Sequence, residues 1–120
     1  MKAFKRSCCP ITNTLDILGD RWSLLIVRDL YLGKRAYGEL LESPENIASN
    51  ILAERLKRLY HAGIIAKKPY RSSPVRYEYY LTDKGWDLLP VLRAINEWAS
   101  KYIDGVECFA PYSAHSEIRE

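Results

Sequence analysis

The chain has 120 residues, 48% of them apolar and 28% charged, with a net charge of +3. That describes one ordinary domain, long enough for a real core, and it excludes a disordered or collagen-like chain. No apolar run approaches the roughly 20 residues of a membrane span, and no apolar stretch directly follows Lys2, Lys5 and Arg6, so a cytoplasmic, membrane-free protein is expected.

Cys9-Pro10 opens the first helix, because proline suits the first helical position, and this sets Cys9 at or beside the N-cap. Ile11, Leu15 and Leu18 share one apolar face, and Gly19 ends it. Asp20 is expected to cap a second helix, Arg21 to about Leu32, with Trp22, Leu25, Ile26 and Leu30 on one stripe and Gly33 as its stop. Residues 34–36 form a short link with room for one strand bridge. A short third helix covers about Tyr37–Glu42 and ends at Ser43-Pro44. A fourth runs from about Ala48 to His61, with Leu52, Leu56, Leu59 and Tyr60 on its inner face and Gly63 closing it. Asn46 or Ser49 is expected to cap it. Ile64–Tyr70 and Val75–Leu81 read as strands around an Arg71–Pro74 turn. Thr82-Asp83 caps a last helix, about Lys84–Tyr102, with a kink or break expected near Pro90. Residues 105–120 show no period and read as a tail. The fold class is therefore mainly α with a small β-hairpin (α+β). A helix-turn-helix over 37–61 is followed directly by a wing.

Charge is concentrated in one block. Residues 1–49 carry +1 and residues 77–120 carry −4, whereas residues 50–76 set Arg55, Lys57, Arg58, Lys67, Lys68, Arg71 and Arg76 against Glu54 alone, for +6. Such a block suits a polyanion, and double-stranded DNA is the expected partner. On the fourth helix, Ser49, Asn50, Glu54, Lys57 and Arg58 can meet DNA: Asn can bond adenine, Glu can accept from cytosine, and Lys or Arg can take guanine or phosphate. The alternative for such a run is a solvated face, and the neighbouring wing weighs against it. Arg55 lies beside the apolar face and can either anchor a phosphate or brace a neighbouring helix. On the wing, Arg71 and Arg76 with Ser72 and Ser73 can contact phosphates or enter a narrow minor groove. Lys67 and Lys68 point to opposite sides of their strand, so one of them faces the same surface. Tyr77, Tyr79 and Tyr80 are expected to pack and pair across strands rather than stack on bases.

Cys8, Cys9 and Cys108 form neither a disulfide framework nor a zinc spacing. No Gly-rich phosphate loop is present, so no metal, no cofactor and no enzymatic activity are expected. At a helix N-terminus beside Lys5 and Arg6, the Cys9 thiolate should be favoured.

"CPITNTLDILGDRWSLLIVRDL", "AYGELLES", "IASNILAERLKRLYHAGII", "YEYYLTDKGWDLLPVL" and "INEW" occur in this order over about residues 8–100. Together they resemble the HxlR-type winged-helix regulators, relatives of the MarR group. The resemblance implies a homodimer that binds a short operator, with dimerisation by the first and last helices, about 9–19 and 84–103. Residues 1–104 then form the winged helix-turn-helix domain and 105–120 the tail. It also implies a sensing role for Cys9, since some members use the cysteine of Cys-Pro to detect oxidants or electrophiles, with Cys8 or Cys108 as resolving partner. Many members carry Ser or Thr where Ala48 stands.

The expected function is a dimeric, sequence-specific regulator on a near-palindromic operator, with redox control through Cys9. Rival readings are a regulator responding to a small-molecule effector without cysteine chemistry, a winged-helix protein-interaction module, and a thiol enzyme using Cys8 or Cys9. In the first of these readings Trp22, Trp86 and Trp98 could line a ligand pocket, against a packing role for each.

Overall fold

The structure, a computed structural model, describes residues 6–107. Its elements are α1 (Pro10–Leu18), α2 (Ser23–Tyr31), α3 (Tyr37–Leu41), α4 (Ser49–His61), β1 (Ile65–Ser72), β2 (Val75–Leu81), α5 (Asp83–Trp86) and α6 (Leu89–Tyr102). The fold is α+β, with six helices among the described residues around one antiparallel hairpin.

Cys9 is in extended conformation immediately before Pro10 and so forms the boundary of α1. Leu18 is the one buried residue of that helix. α2 begins two residues later than expected. Asp20 is the reason: its Oδ2 accepts from the Trp22 and Ser23 amides at 2.9 and 3.0 Å, and its Oδ1 accepts from Ser23 Oγ at 2.6 Å. The carboxylate caps the helix from three residues before its first turn.

Gly33 and Gly63 terminate α2 and α4 in the same way. Each has a positive φ, +106° and +79°. The amide after each reaches five residues back, Lys34 N–H to Asp29 O at 3.1 Å and Ile64 N–H to Leu59 O at 3.0 Å. This paired closure needs a left-handed residue, which glycine supplies without a Cβ clash.

One expectation at a helix end is corrected. Neither Asn46 nor Ser49 caps α4. Ala48 occupies the cap with no side-chain bond, Asn46 is spent on a turn at φ +60°, and Ser49 Oγ is turned to the Tyr37 hydroxyl at 2.7 Å. The break expected near Pro90 is present, and the last helix is divided into two. Thr82 Oγ1 caps α5 by accepting from Gly85 N–H at 3.2 Å, the chain breaks at residues 87–88, and Pro90 sits in the first turn of α6, where its missing N–H costs nothing.

The hairpin is longer than expected. β1 runs to Ser72 because an irregularity between Pro69 and Arg71 absorbs one residue, leaving Ser73-Pro74 as the turn. Ala36 adds an isolated bridge to Glu78, and Tyr79 N–H donates to Arg35 O at 2.9 Å. The wing is thereby tied to the α2–α3 link.

Leu30, Leu40, Leu52, Leu59 and Ile65 are the large fully buried residues, drawn from α2, α3, α4 and β1. Each contributes about 1.5–3 kcal/mol by leaving water. Trp86 closes one end of this core with its ring edge-on to Tyr31, centroids 5.4 Å apart. No helix among the described residues is long and apolar enough to cross a membrane.

Candidate nucleic-acid interface

α4 buries Leu52, Leu56 and Leu59 and leaves Ser49, Asn50, Glu54, Lys57 and Arg58 exposed. Its start is pinned from α3, because the Tyr37 hydroxyl donates to Ser49 O at 2.7 Å. Arg55 is held in the bracing geometry. Its Nε donates to Asp20 Oδ2 at 2.9 Å, it also pairs with Glu54, and its side chain is only 18% exposed. Arg58 Nη2 reaches Asp20 Oδ1 at 3.1 Å while its side chain stays 42% exposed. Partial burial alone would raise the Asp20 carboxyl. Bonds from Ser23 and Arg55 and from the Trp22 and Ser23 amides outweigh it and hold the group well below the ordinary carboxylate range.

The helix and the wing meet at Lys67. Its ammonium lies 4.8 Å from the Tyr60 ring of α4 and 4.6 Å from the Tyr77 ring of β2. Such cation–π contacts orient the side chain without neutralising it. Lys57, Tyr60, His61 and Lys67 line a cleft of about 300 Å³ backed by Tyr37 and Tyr79. Arg76 borders a second cavity of about 400 Å³ that shares Tyr37 and Tyr79. Lys68 goes to the opposite side, 5.1 Å from the Tyr80 ring, on which Arg35 also stacks at 5.0 Å. Glu78 is there too, accepting from the Tyr80 hydroxyl at 2.7 Å, so this acid does not fill the cleft. At the exposed tip Arg71 is paired in register with Arg76, beside Ser72 and Ser73. Like charges facing across a hairpin disfavour each other, and an anion between them relieves that cost.

The structure therefore brings Lys57 and Lys67 together at the α4–wing cleft, holds Arg58 on α4 against Asp20, sends Lys68 to the other side of the wing, and leaves Arg71 and Arg76 at the tip. Sequence reasoning assigned Asp20 only a capping role and missed its hold on Arg55 and Arg58. It also gave no part to Tyr37, and it set Tyr60 on the inner face of α4, where the ring is instead exposed toward the wing. The acidic residue in a Gly-Asp-Arg-Trp step was visible; its partners lie on another helix and were not.

Cys9 and Cys8 are both exposed free thiols. Cys9 is lowered from its ordinary value, first by the Thr12 amide, then by the Thr12 hydroxyl and the Ile11 amide. These are the open donors of the α1 N-terminus. The expected help from Arg6 is corrected: its guanidinium is paired with Asp16 at 2.6 Å. Lys5 and Cys108 lie outside the described residues. Trp22 and Trp86 pack on the core, while Trp98 is 60% exposed beside Tyr102. An apolar cavity of about 500 Å³ lies between α2 and α6, lined by Leu24, Leu25, Leu92 and Ile95 with Arg28 and Asn96 at its margin.

A model of the HxlR-like helix-turn-helix family matches residues 17–107. The chain belongs to the HxlR family. It is 40% identical over 97 residues to the HTH-type transcriptional regulator YvaP of Bacillus subtilis, covering 80% of this chain and 90% of YvaP. The crystal structure of PA1607, described as a transcription factor, superimposes at TM-score 0.73 with 42% identity over 92% of this chain and 72% of that one. The transcriptional regulator YodB of B. subtilis in its reduced form superimposes at 0.68 with 31% identity, over 84% of this chain and all of YodB; it has also been solved after diamide treatment. This HxlR-family chain is thus a transcriptional regulator of the helix-turn-helix type and not an enzyme. Regulators of this family bind DNA.

Proposed function

We propose that the protein binds a near-palindromic operator as a homodimer. Each subunit lays α4 in a major groove and sets its wing on the flanking backbone. The observation that carries this is the exposed polar face of α4, with Lys57 and Arg58, continued onto the wing by Lys67. Ser49, Asn50 and Glu54 read bases, Lys57 and Arg58 take guanine or phosphate, and Arg71, Ser72, Ser73 and Arg76 grip the backbone or minor groove. Lys68 serves only DNA that wraps past the wing. Arg55 acts from behind as a brace.

The dimer reading rests on α1. A nine-residue helix is marginal in water alone, and this one exposes Ile11 at 69% and Leu15 at 55%. α6 exposes Ile95, Trp98 and Tyr102. A second copy covers both faces and places the two α4 helices roughly 34 Å apart, one turn of DNA. Selection of duplexes from a random pool, followed by mobility shifts at rising salt, tests the reading. Affinity should fall steeply with salt through counterion release. A flat response would refute it.

Redox control through Cys9 forms the second part. The Cys9 thiolate attacks the oxidant, and a second thiolate, from Cys8 or Cys108, displaces the adduct to close a disulfide. Two thiols lose two electrons and two protons, and diamide takes both to become the hydrazine. The exposure and lowered pKa of Cys9 favour this, as does similarity to YodB, a regulator solved both reduced and diamide-treated. Operator affinity of the wild type and of Cys9→Ser, with and without diamide, decides it. An unchanged wild type would leave the cysteine structural. The apolar cavity between α2 and α6 supports the rival of a small-molecule effector, which a thermal-shift screen of apolar ligands would reveal.

A further inference from the structure

We infer that Asp20 is a positioning residue for DNA specificity, holding the Arg58 side chain in one place and withholding its charge from DNA of the wrong sequence. The inference rests on the DNA-binding reading of α4.

One carboxylate serves two helices. Asp20 caps α2 through the Trp22 and Ser23 amides and, with the same two oxygens, receives Arg55 at 2.9 Å and Arg58 at 3.1 Å from α4. The roles of the two arginines differ. Arg55 is largely buried and has Glu54 as a second partner, so it remains in place whatever the state of Asp20. Arg58 is held in this cluster by Asp20 and lies at the exposed face.

A free arginine on a groove-facing helix contacts any phosphate within reach, which adds affinity for every sequence alike. A tethered one carries its fork in a fixed direction. It leaves Asp20 only for a partner that replaces a charge-assisted bond, such as the O6 and N7 of guanine or a phosphate correctly placed by the register. The carboxylate also cancels one unit of positive charge at the face, which weakens non-specific attraction. Asp20 thus trades general affinity for discrimination.

Asp20→Asn tests this, since asparagine keeps an oxygen for the two cap amides but loses the charge that holds Arg58. The probes are a mixed-sequence duplex of about three helical turns and the duplex that wild-type protein selects from a random pool. On the mixed-sequence duplex the variant should bind several-fold more tightly, and the slope of log affinity on log salt should steepen by about 0.9, one phosphate contact. Its preference for the selected duplex should drop several-fold. In an Arg58→Ala background the same change should leave the slope where it was. An unchanged slope and preference in Asp20→Asn would overturn the inference. So would an equal steepening with and without Arg58, which would mean a general field effect. Circular dichroism checks folding, and if Asp20→Asn does not fold, Asp20→Ser, which keeps a cap oxygen that reaches neither arginine, makes the same comparison. Wild-type protein that binds neither duplex would instead end the DNA-binding reading.

Discussion

Gly85→Ala isolates the contact that seats the wing on the body. Gly85 is buried in α5, and a Cβ there would stand 2.3 Å from Ile64 O, 3.0 Å from Leu81 Cδ2 and 3.3 Å from Leu81 Cβ. The nearest of these atoms is backbone carbonyl oxygen, which no rotamer change can move. Ile64 O is also committed: it accepts from Thr82 N–H at 3.1 Å and from Thr82 Oγ1 at 3.0 Å, the bonds that close the base of the hairpin. Overpacking of this kind costs about 1–3 kcal/mol, and a backbone clash belongs at the upper end. Alanine recovers up to about 1 kcal/mol of helix propensity, leaving a net loss of about 2 kcal/mol. For about 100 folded residues that lowers Tm by roughly 8–16 °C. Thermal unfolding at one fixed protein concentration measures it, because association changes the midpoint. Gly38→Ala is the control: its Cβ meets nothing within 4 Å, so it should be neutral or slightly stabilising. Equal midpoints for Gly85→Ala and wild type would refute the close-approach account of this glycine.

Glu45 is held down to about 2, first by its bonds from Arg28 and against the effect of burial. A depressed carboxyl stabilises the fold above its ordinary value of 4.5 and stops doing so as pH falls toward 2. Asp29, raised by burial, has the opposite sign, so Glu45→Gln separates the two: the gap in urea midpoint between it and wild type should be present at pH 7 and shrink by pH 3. Cys9 should alkylate with iodoacetamide at pH 7 faster than Cys8, read from single-cysteine variants in which the other two are serine; equal rates would deny the helix-terminus effect. Trp98→Glu should leave the monomer's stability within about 0.5 kcal/mol, since the ring is mostly exposed. It should also shift sedimentation toward a 13.9 kDa species from twice that mass.

What the residues reveal unaided is what each element determines alone. Pro10 starts α1, Gly33 and Gly63 stop α2 and α4, Thr82 caps α5, and the alternation after Ile64 makes a hairpin. Each of these follows from backbone freedom or a bond spanning a few residues. The misses are of two kinds. Ends moved where a side chain had a better offer elsewhere, as when Ser49 turned to Tyr37 and left Ala48 as the cap. Partners stayed hidden where packing chose them. Asp20 and Arg58 are 38 positions apart, and nothing in either segment names the other. The same holds for Lys67 between Tyr60 and Tyr77.

Those hidden pairs matter most for the candidate site, because a DNA-reading surface depends on direction as much as on charge. Seven bases within residues 50–76 point to a polyanion. They do not say which of them is aimed. Arg55 is turned inward, Lys68 backward, and Arg71 faces Arg76. Lys67 is clamped by two rings and Arg58 by one carboxylate. Tethering costs affinity and fixes geometry, and the tether on Arg58 comes from Asp20, two residues beyond the end of α1. That helix has Cys9 at its start, roughly 13 Å away along its axis, and a single leucine buried in the body. A rod so lightly anchored takes its position from what covers its apolar face. In the proposed dimer, the corner where it ends is therefore where a change in the second copy would first reach the side chains proposed to meet DNA.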